Sequence, residues 1–117
     1  MKTPTLSERL ALLFDTVYPG NRGPYTASEV ATALKKSGTP ISPTTIKNIA
    51  TGQTEKPAFQ SVAALADFFG VELDFFHTTN PETWSRYEQA LLAFRRQMDS
   101  DHLYAARKIA DRKRHRH

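Results

Sequence analysis

An all-α fold follows from three features of the 117-residue sequence. Helix-start signals recur along it, apolar residues repeat at steps of three and four between them, and strand-like alternation is nearly absent. Two capping boxes, Thr5-Leu6-Ser7-Glu8 and Thr26-Ala27-Ser28-Glu29, each place a threonine hydroxyl and a glutamate carboxylate where a first helical turn leaves backbone amides unpaired. Ser42-Pro43 supplies a third start, an N-cap followed by a proline whose fixed φ suits the first helical position.

Taken in order, Leu6, Leu10, Leu13, Phe14 and Val17 predict a first helix from 6 to about 18. The breaker-rich residues 19–24 predict a loop. A second helix opens at Thr26, carries Val30, Ala33 and Leu34, and stops at Ser37-Gly38-Thr39-Pro40. A third spans residues 43–51, with Ile46 and Ile49 facing inward and Gly52 ending it. A fourth covers 59–69, its buried stripe being Val62, Leu65, Ala66 and Phe69, with Gly70 as the stop. Residues 71–77 read as a short apolar turn or fifth helix, in which Leu73, Phe75 and Phe76 close the core. Asn80-Pro81 opens a last helix with a narrow apolar stripe: Trp84, Tyr87, Leu91, Phe94 and Met98. An interruption is expected at Asp99-Ser100-Asp101, after which Leu103, Ala106, Ile109 and Ala110 could resume the pattern. The organisation expected is a five-helix domain over residues 1–78, a C-terminal helical element over 79–111, and a flexible basic tail over 112–117.

Composition narrows the function classes. There is no cysteine, which excludes a disulfide framework, thiolate zinc sites and cysteine nucleophiles. No apolar run reaches the ~20 residues of a membrane span, and residues 1–7 lack a secretory apolar stretch, so a cytoplasmic location and no membrane partner are expected. Among the four histidines, His77 and His102 are isolated, while His115 and His117 stand near the end of the sequence. They form no metal-ligand pattern, and no metal or cofactor is expected. Asp99 and Asp101 read as a helix end rather than an acid–base pair, and no phosphate loop or nucleophile motif occurs. The chain is not expected to be an enzyme.

Charge is unevenly distributed. The net charge is +4, yet residues 107–117 hold six basic residues and one acid, whereas residues 1–106 hold ten basic and eleven acidic. The basic cluster is compatible with nonspecific phosphate binding and equally with a solvated terminus. Residues 20–60 carry Arg22, Lys35, Lys36, Lys47 and Lys56 against only Glu29 and Glu55, and the stretch 67–74 is acidic. One positive face is what contact with phosphates requires.

Two short, tightly joined helices, the second opening with small polar residues, form the unit that places one helix in the major groove of DNA. Base edges are met near that helix's N-terminus by outward-facing hydrogen bonders, while its opposite face must be apolar to dock. Ser42, Pro43, Thr44, Thr45, Lys47 and Asn48 supply the outward set, and Ile46 and Ile49 the inward one. Threonine can bond a base edge or pack on a thymine methyl, and asparagine can bond adenine twice. Lys47 and Lys56 suit phosphates, with Gln53 and Thr54 adding neutral phosphate contacts.

Residues 28–76 resemble the Xre/Cro, lambda-repressor-like helix-turn-helix family. The matching residues are Val30-Ala31 with Leu34, then Ile41-Ser42-Pro43-Thr44-Thr45-Ile46, Asn48-Ile49, Gly52 and Pro57. The run Val62-Ala63-Ala64-Leu65-Ala66-Asp67-Phe68-Phe69-Gly70-Val71, with Leu73-Asp74-Phe75-Phe76, is the most specific part of the match. Leu12-Leu13-Phe14-Asp15-Thr16-Val17-Tyr18-Pro19, followed by Arg22-Gly23-Pro24 and Ser28-Glu29-Val30, is similar to one branch, the EspR-type secretion regulators of mycobacteria. This resemblance implies a lambda-repressor-like domain, double-stranded DNA as partner, a nucleoid-associated location, and dimerisation through C-terminal helices. The sequence departs from the wider family in three places. Residues 35–40 add about a turn between the two motif helices, as in that branch. Ala50 stands where an acidic residue often follows the second isoleucine. Ala27 stands where a glutamine often clamps a phosphate, which leaves that anchoring to Arg22, Tyr25 or Thr26.

The stripe Trp84, Tyr87, Leu91, Phe94 and Met98 is read as a homodimer seam, since DNA is two-fold and an exposed tryptophan-bearing stripe would otherwise invite aggregation. The alternative is packing onto the same chain. The function expected is a sequence-specific transcriptional regulator acting as a homodimer. Its rivals are a protein-interaction module (an anti-repressor or adaptor) that kept the fold without DNA binding, and a repressor gated by a small-molecule effector that the sequence does not specify.

Overall fold

The computed structural model describes residues 2–114, with side chains through Lys108. Six helices make up these residues, and no strand occurs among them: α1 (Leu6–Thr16), α2 (Ala27–Lys36), α3 (Pro43–Ala50), α4 (Phe59–Phe69), α5 (Asp74–His77) and α6 (Pro81–Arg114). Residues 115–117, including His115 and His117, lie outside the described residues, so the expected tail is described only in part.

The three expected starts form as written. Thr5 Oγ1 accepts from the Glu8 amide at 3.2 Å while a Glu8 carboxylate oxygen accepts from the Thr5 amide at 3.1 Å. Thr26 and Glu29 repeat the exchange at 3.1 and 3.0 Å. Ser42 Oγ accepts the Thr45 amide at 3.1 Å. The first helix is shorter than expected. It stops at Thr16, because the backbone turns away at Val17 (φ −103°, ψ 88°) and the Thr16 and Tyr18 carbonyls are drawn to Arg95.

The core lies where α1, α2, α3 and α4 converge. Leu10, Leu13, Val30, Ile46, Ile49 and Leu65 lose essentially all contact with solvent there. α3 packs against both α1 and α2, and Ser7 Oγ donates to the Ala50 carbonyl at 2.7 Å, tying the start of α1 to the end of α3.

A second, aromatic part of the core joins α5 to α6. The fully buried Phe75 ring has Phe76 and Trp84 at 5.2 Å and Tyr87 at 5.7 Å between centroids. Arg9 is buried beside it. Its guanidinium donates to the carbonyls of Pro4 (2.9 Å), Phe75 (3.0 Å) and Thr78 (2.7 Å) and lies 4.9 Å from the Trp84 ring. The planar fork of arginine suits such simultaneous donation, which a lysine could not reproduce.

The structure departs from the expectations about α6 both in the helix's course and in what its apolar stripe covers. The helix runs unbroken through Asp99-Ser100-Asp101, because i,i+4 pairs bridge the site: Arg95 to Asp99 at 2.8 Å and Gln97 to Asp101 at 2.9 Å. It also continues to Arg114, so helical backbone extends into the tail expected from residue 112. The first half of the proposed dimer stripe lies inside the chain itself: Trp84 and Leu91 are buried, and Tyr87 is half-buried with its hydroxyl donating to Glu72 and Asp74 at 3.1 Å each. Burial, helped by these carboxylates, pushes the Tyr87 phenol up to about 12. The physical reason is geometric. α5 leaves Phe75 needing a cover, and the first two turns of α6 supply it.

Farther along, Arg95 fastens α6 to the loop after α1. It donates to the carbonyls of Thr16 (3.3 Å) and Tyr18 (2.8 Å) and stacks 3.7 Å over the Tyr18 ring. Gly20 meets the helix so closely that a Cβ there would stand 2.4 Å from the Met98 carbonyl oxygen.

Phe75→Ala is expected to destabilise the protein by about 3–5 kcal/mol, the range for emptying a buried aromatic site, as read from urea unfolding. In the same assay Gly20→Ala is expected to lower the midpoint, since the obstructing atom is backbone. An unchanged midpoint would show that α6 does not press on this loop.

Candidate nucleic-acid interface

Helix α3 is eight residues long and two-faced. Ile46 and Ile49 are fully buried, and on the opposite side Ser42, Pro43, Thr44, Thr45 and Lys47 are exposed, with Asn48 half-buried at the edge. Past the helix, the Gly52 backbone takes φ +83°, and the Thr54 amide returns to the Asn48 carbonyl at 3.1 Å. A residue with a Cβ would be strained in that left-handed conformation. The turn so formed holds residues 53–56 directly after α3, with Gln53 and Lys56 exposed and Thr54 half-buried.

The side chains differ in how far the fold already engages them. Ser42 caps α3, and its hydroxyl is 2.8 Å from that of Thr45, so these two are partly committed to each other. Among the described residues, Thr44, Lys47, Asn48, Gln53, Thr54 and Lys56 make no side-chain hydrogen bond or ion pair. Their donors and acceptors are available to a ligand.

Arg22 and Thr26, expected as phosphate anchors, are placed otherwise. Arg22 grips Glu29 through two nitrogens at 2.6 Å each and lies 4.8 Å from the Tyr25 ring centroid. Thr26 caps α2. Together they stiffen the entry to α2, and the Glu29 carboxyl is held down at about 2, first by the Arg22 hydrogen bonds and then by the Thr26 amide. With Arg22 matched by Glu29, the cations left over in residues 20–60 are Lys35, Lys36, Lys47 and Lys56, against Glu55.

The later part of the expected dimer stripe is mixed. Phe94 is exposed, and Met98 is half-buried beside Gly20. Leu92, Leu103 and Tyr104 are exposed as well, though they lay outside the expected stripe. Two functionally placed residues escaped sequence reasoning. Arg95 follows Leu91 by four and precedes Met98 by three, so the stripe's own spacing pointed to it, but its charge disguised it as surface. Arg9, within the α1 stripe, was hidden in the same way. Among the described residues no group of three or more His, Asp or Glu could hold a metal ion, and no helix is long and apolar enough to cross a membrane.

In an NMR titration the Glu29 carboxyl is expected to have its midpoint at about 2, and Arg22→Ala to move it upward toward the ordinary 4.5. Because the folded value is depressed, the stability this pair contributes is complete above the ordinary carboxylate range. It is lost as pH falls toward about 2. A midpoint near 4.5 in the parent protein would show that the Arg22–Glu29 pair does not persist in solution.

No family model matches the chain. It is similar to the nucleoid-associated protein EspR of Mycobacterium tuberculosis, in strains H37Rv and CDC 1551, at 38% identity over 87 residues. The match covers 74% of this chain and 64% of the relative, so the chain spans less than two thirds of the relative's length.

Proposed function

We propose that this chain is a nucleoid-associated DNA-binding regulator of a bacterial cytoplasm, acting as a homodimer whose α3 enters the major groove. The observation that carries this reading is the division of α3. Its inner face is fully buried, while Thr44, Lys47 and Asn48 stand outside it without an internal partner. The similarity to a nucleoid-associated protein supports the same reading.

In this mechanism Thr44, Thr45 and Asn48 meet base edges, Asn48 being the residue able to take adenine N6 and N7 together. Lys47 and Lys56 neutralise phosphates, and Gln53 and Thr54 bond phosphate oxygens, fixing the register without reading sequence. Ser42 and Pro43 set where α3 begins. Arg22 and Thr26 act through the entry to α2 that they stiffen. Dimerisation uses apolar residues that the chain leaves exposed on α6, with Leu92 and Leu103 about three turns apart on one face. Two copies would present their α3 helices to half-sites about 34 Å apart.

A second reading, an interaction module without DNA binding, draws on the near balance of charge over residues 1–106. Fluorescence anisotropy on random genomic duplexes across a salt series separates the two. The proposal expects salt-sensitive binding with some fragments retained at higher salt, and the alternative expects no binding from folded protein.

Asn48→Ala is expected to weaken a retained fragment by about 1–3 kcal/mol while sparing nonspecific binding, and Lys47→Gln to reduce the salt slope by about one for all fragments. Fragment affinities unchanged by Asn48→Ala would remove α3 from the reader's role. Leu103→Glu is expected to shift sedimentation toward the monomer. A dimer that survives it would place the seam elsewhere.

A further inference from the structure

We infer that the distal third of α6, from Leu103 to Arg114, is a second phosphate-binding element that grips duplex DNA outside the groove occupied by α3. The inference rests on the DNA-binding reading above and adds a site to it.

Four observations converge. First, α6 leaves the body at a defined place. Arg95 holds it to the Thr16 and Tyr18 carbonyls, and Gly20 lies so close to Met98 and His102 that a Cβ there would stand 3.0 Å from His102 Cβ. Gly20 is two residues before Arg22 and six before the cap of α2. The helix therefore departs beside the loop that leads into the first helix of the DNA-binding pair. Second, it continues beyond that point: Leu103 and Tyr104 are 59% and 61% exposed, every described residue from 103 to 108 is exposed, and the helix persists to Arg114. Twelve residues of helix reach about 18 Å, in keeping with the molecule's 61 Å long axis.

Third, the projecting segment is where the chain's surplus charge resides. Arg107, Lys108, Arg112, Lys113 and Arg114 accompany a single acid, Asp111. Cations near a helix C-terminus favour the helix dipole, but that effect fades beyond the last turn and accounts for neither Arg107 nor Lys108. Pairing along the helix accounts for little of this charge: one acid, Asp111, stands four residues after Arg107 and three after Lys108, the residues four before them are Leu103 and Tyr104, and Lys108 with Arg112 is a like-charge i,i+4 pair. Fourth, Lys108 Nζ lies 5.0 Å from the Tyr104 ring, and Arg107 and Lys108 are both exposed. Five cations against one acid within residues 107–114 repel one another, and a polyanion relieves that repulsion. Duplex DNA offers one charge per ~1.7 Å of axis and gives up its condensed counterions in exchange. An anionic membrane is the other polyanionic surface such a helix could meet, and the test below separates it from duplex DNA.

The test compares the full chain with a variant combining Arg107→Gln, Lys108→Gln, Arg112→Gln, Lys113→Gln and Arg114→Gln, and with a charge-keeping variant in which Arg and Lys are exchanged at the same positions. Anisotropy on a fragment retained at high salt, and on unrelated duplexes, gives affinity against salt. Circular dichroism checks that helix content is kept. The glutamine variant is expected to flatten the log–log salt slope by roughly 2–4, at about 0.9 per lost phosphate contact. It is expected to keep the ranking of fragments, and the charge-keeping variant to behave as the parent. A slope unchanged by the glutamine substitutions overturns the inference. So does charge-dependent binding to vesicles of phosphatidylserine and phosphatidylcholine with no change on duplex DNA, which would reassign the segment to lipid. Asn48→Ala keeps the two claims apart: if it leaves fragment ranking intact while the glutamine variant still flattens the slope, the reading of α3 fails and this inference stands. Absence of duplex binding by the parent chain overturns both.

Discussion

A helix of eight residues has no stability of its own in water, where even favourable sequences need roughly 12–15 residues to be marginally helical. The burial of Ile46 and Ile49 is therefore the constraint on which the functional face depends. Full burial of two such side chains contributes on the order of 3–6 kcal/mol before entropy is counted. That docking makes α3 a rigid object. Its ends are then secured by contacts that do not use the outward residues: the Ser42 cap and Pro43 at the start, the Ser7 hydroxyl on the Ala50 carbonyl at the finish, and the Gly52 turn beyond. Thr44, Lys47 and Asn48 are free of structural duty because their neighbours carry it.

The long helix is integrated with this unit more closely than an appended element would be. Phe75 needs a cover, and Trp84 and Tyr87 provide it. Arg9 and Arg95 each carry a guanidinium into the protein and satisfy it mainly on backbone carbonyls rather than on acids. The carbonyl acceptors lie in loops and in the last turns of helices, where they have no intrahelical partner: Arg9 joins α1 to the end of α5, and Arg95 joins α6 to the exit from α1. α6 is thereby tied to the loop that carries Arg22 and leads into α2.

Much of this was legible in the sequence, for local reasons. Caps act over three residues, so Thr5, Thr26 and Ser42 announced their helices. Stripes such as Val62, Leu65, Ala66 and Phe69 state which face is inside. Helix ends were less legible where a tertiary partner set them, as at Thr16, whose carbonyl goes to Arg95. The stripe on α6 could be seen, but not the surface it covers, because an apolar face fits its own chain and a second copy equally well. Trp84 and Leu91 proved to belong to the chain's own core. The expected break at residues 99–101 failed because the Asp99 and Asp101 side chains enter i,i+4 pairs whose partners lie four residues upstream. For the candidate site, the polar face of α3 could be named residue by residue. The commitment of Arg22 to Glu29 could not, since it depends on how the loop of residues 17–26 folds back on the next helix.

The central claim, that α3 is the surface which meets DNA, is tested most directly by following backbone amides in a two-dimensional NMR titration of the protein with a duplex retained at high salt. The account expects the largest shifts at residues 44–48 and 53–56, with Ile46 and Ile49 still protected from solvent exchange. Shifts confined to other surfaces, with the amides of 44–48 unmoved at saturation, would contradict it.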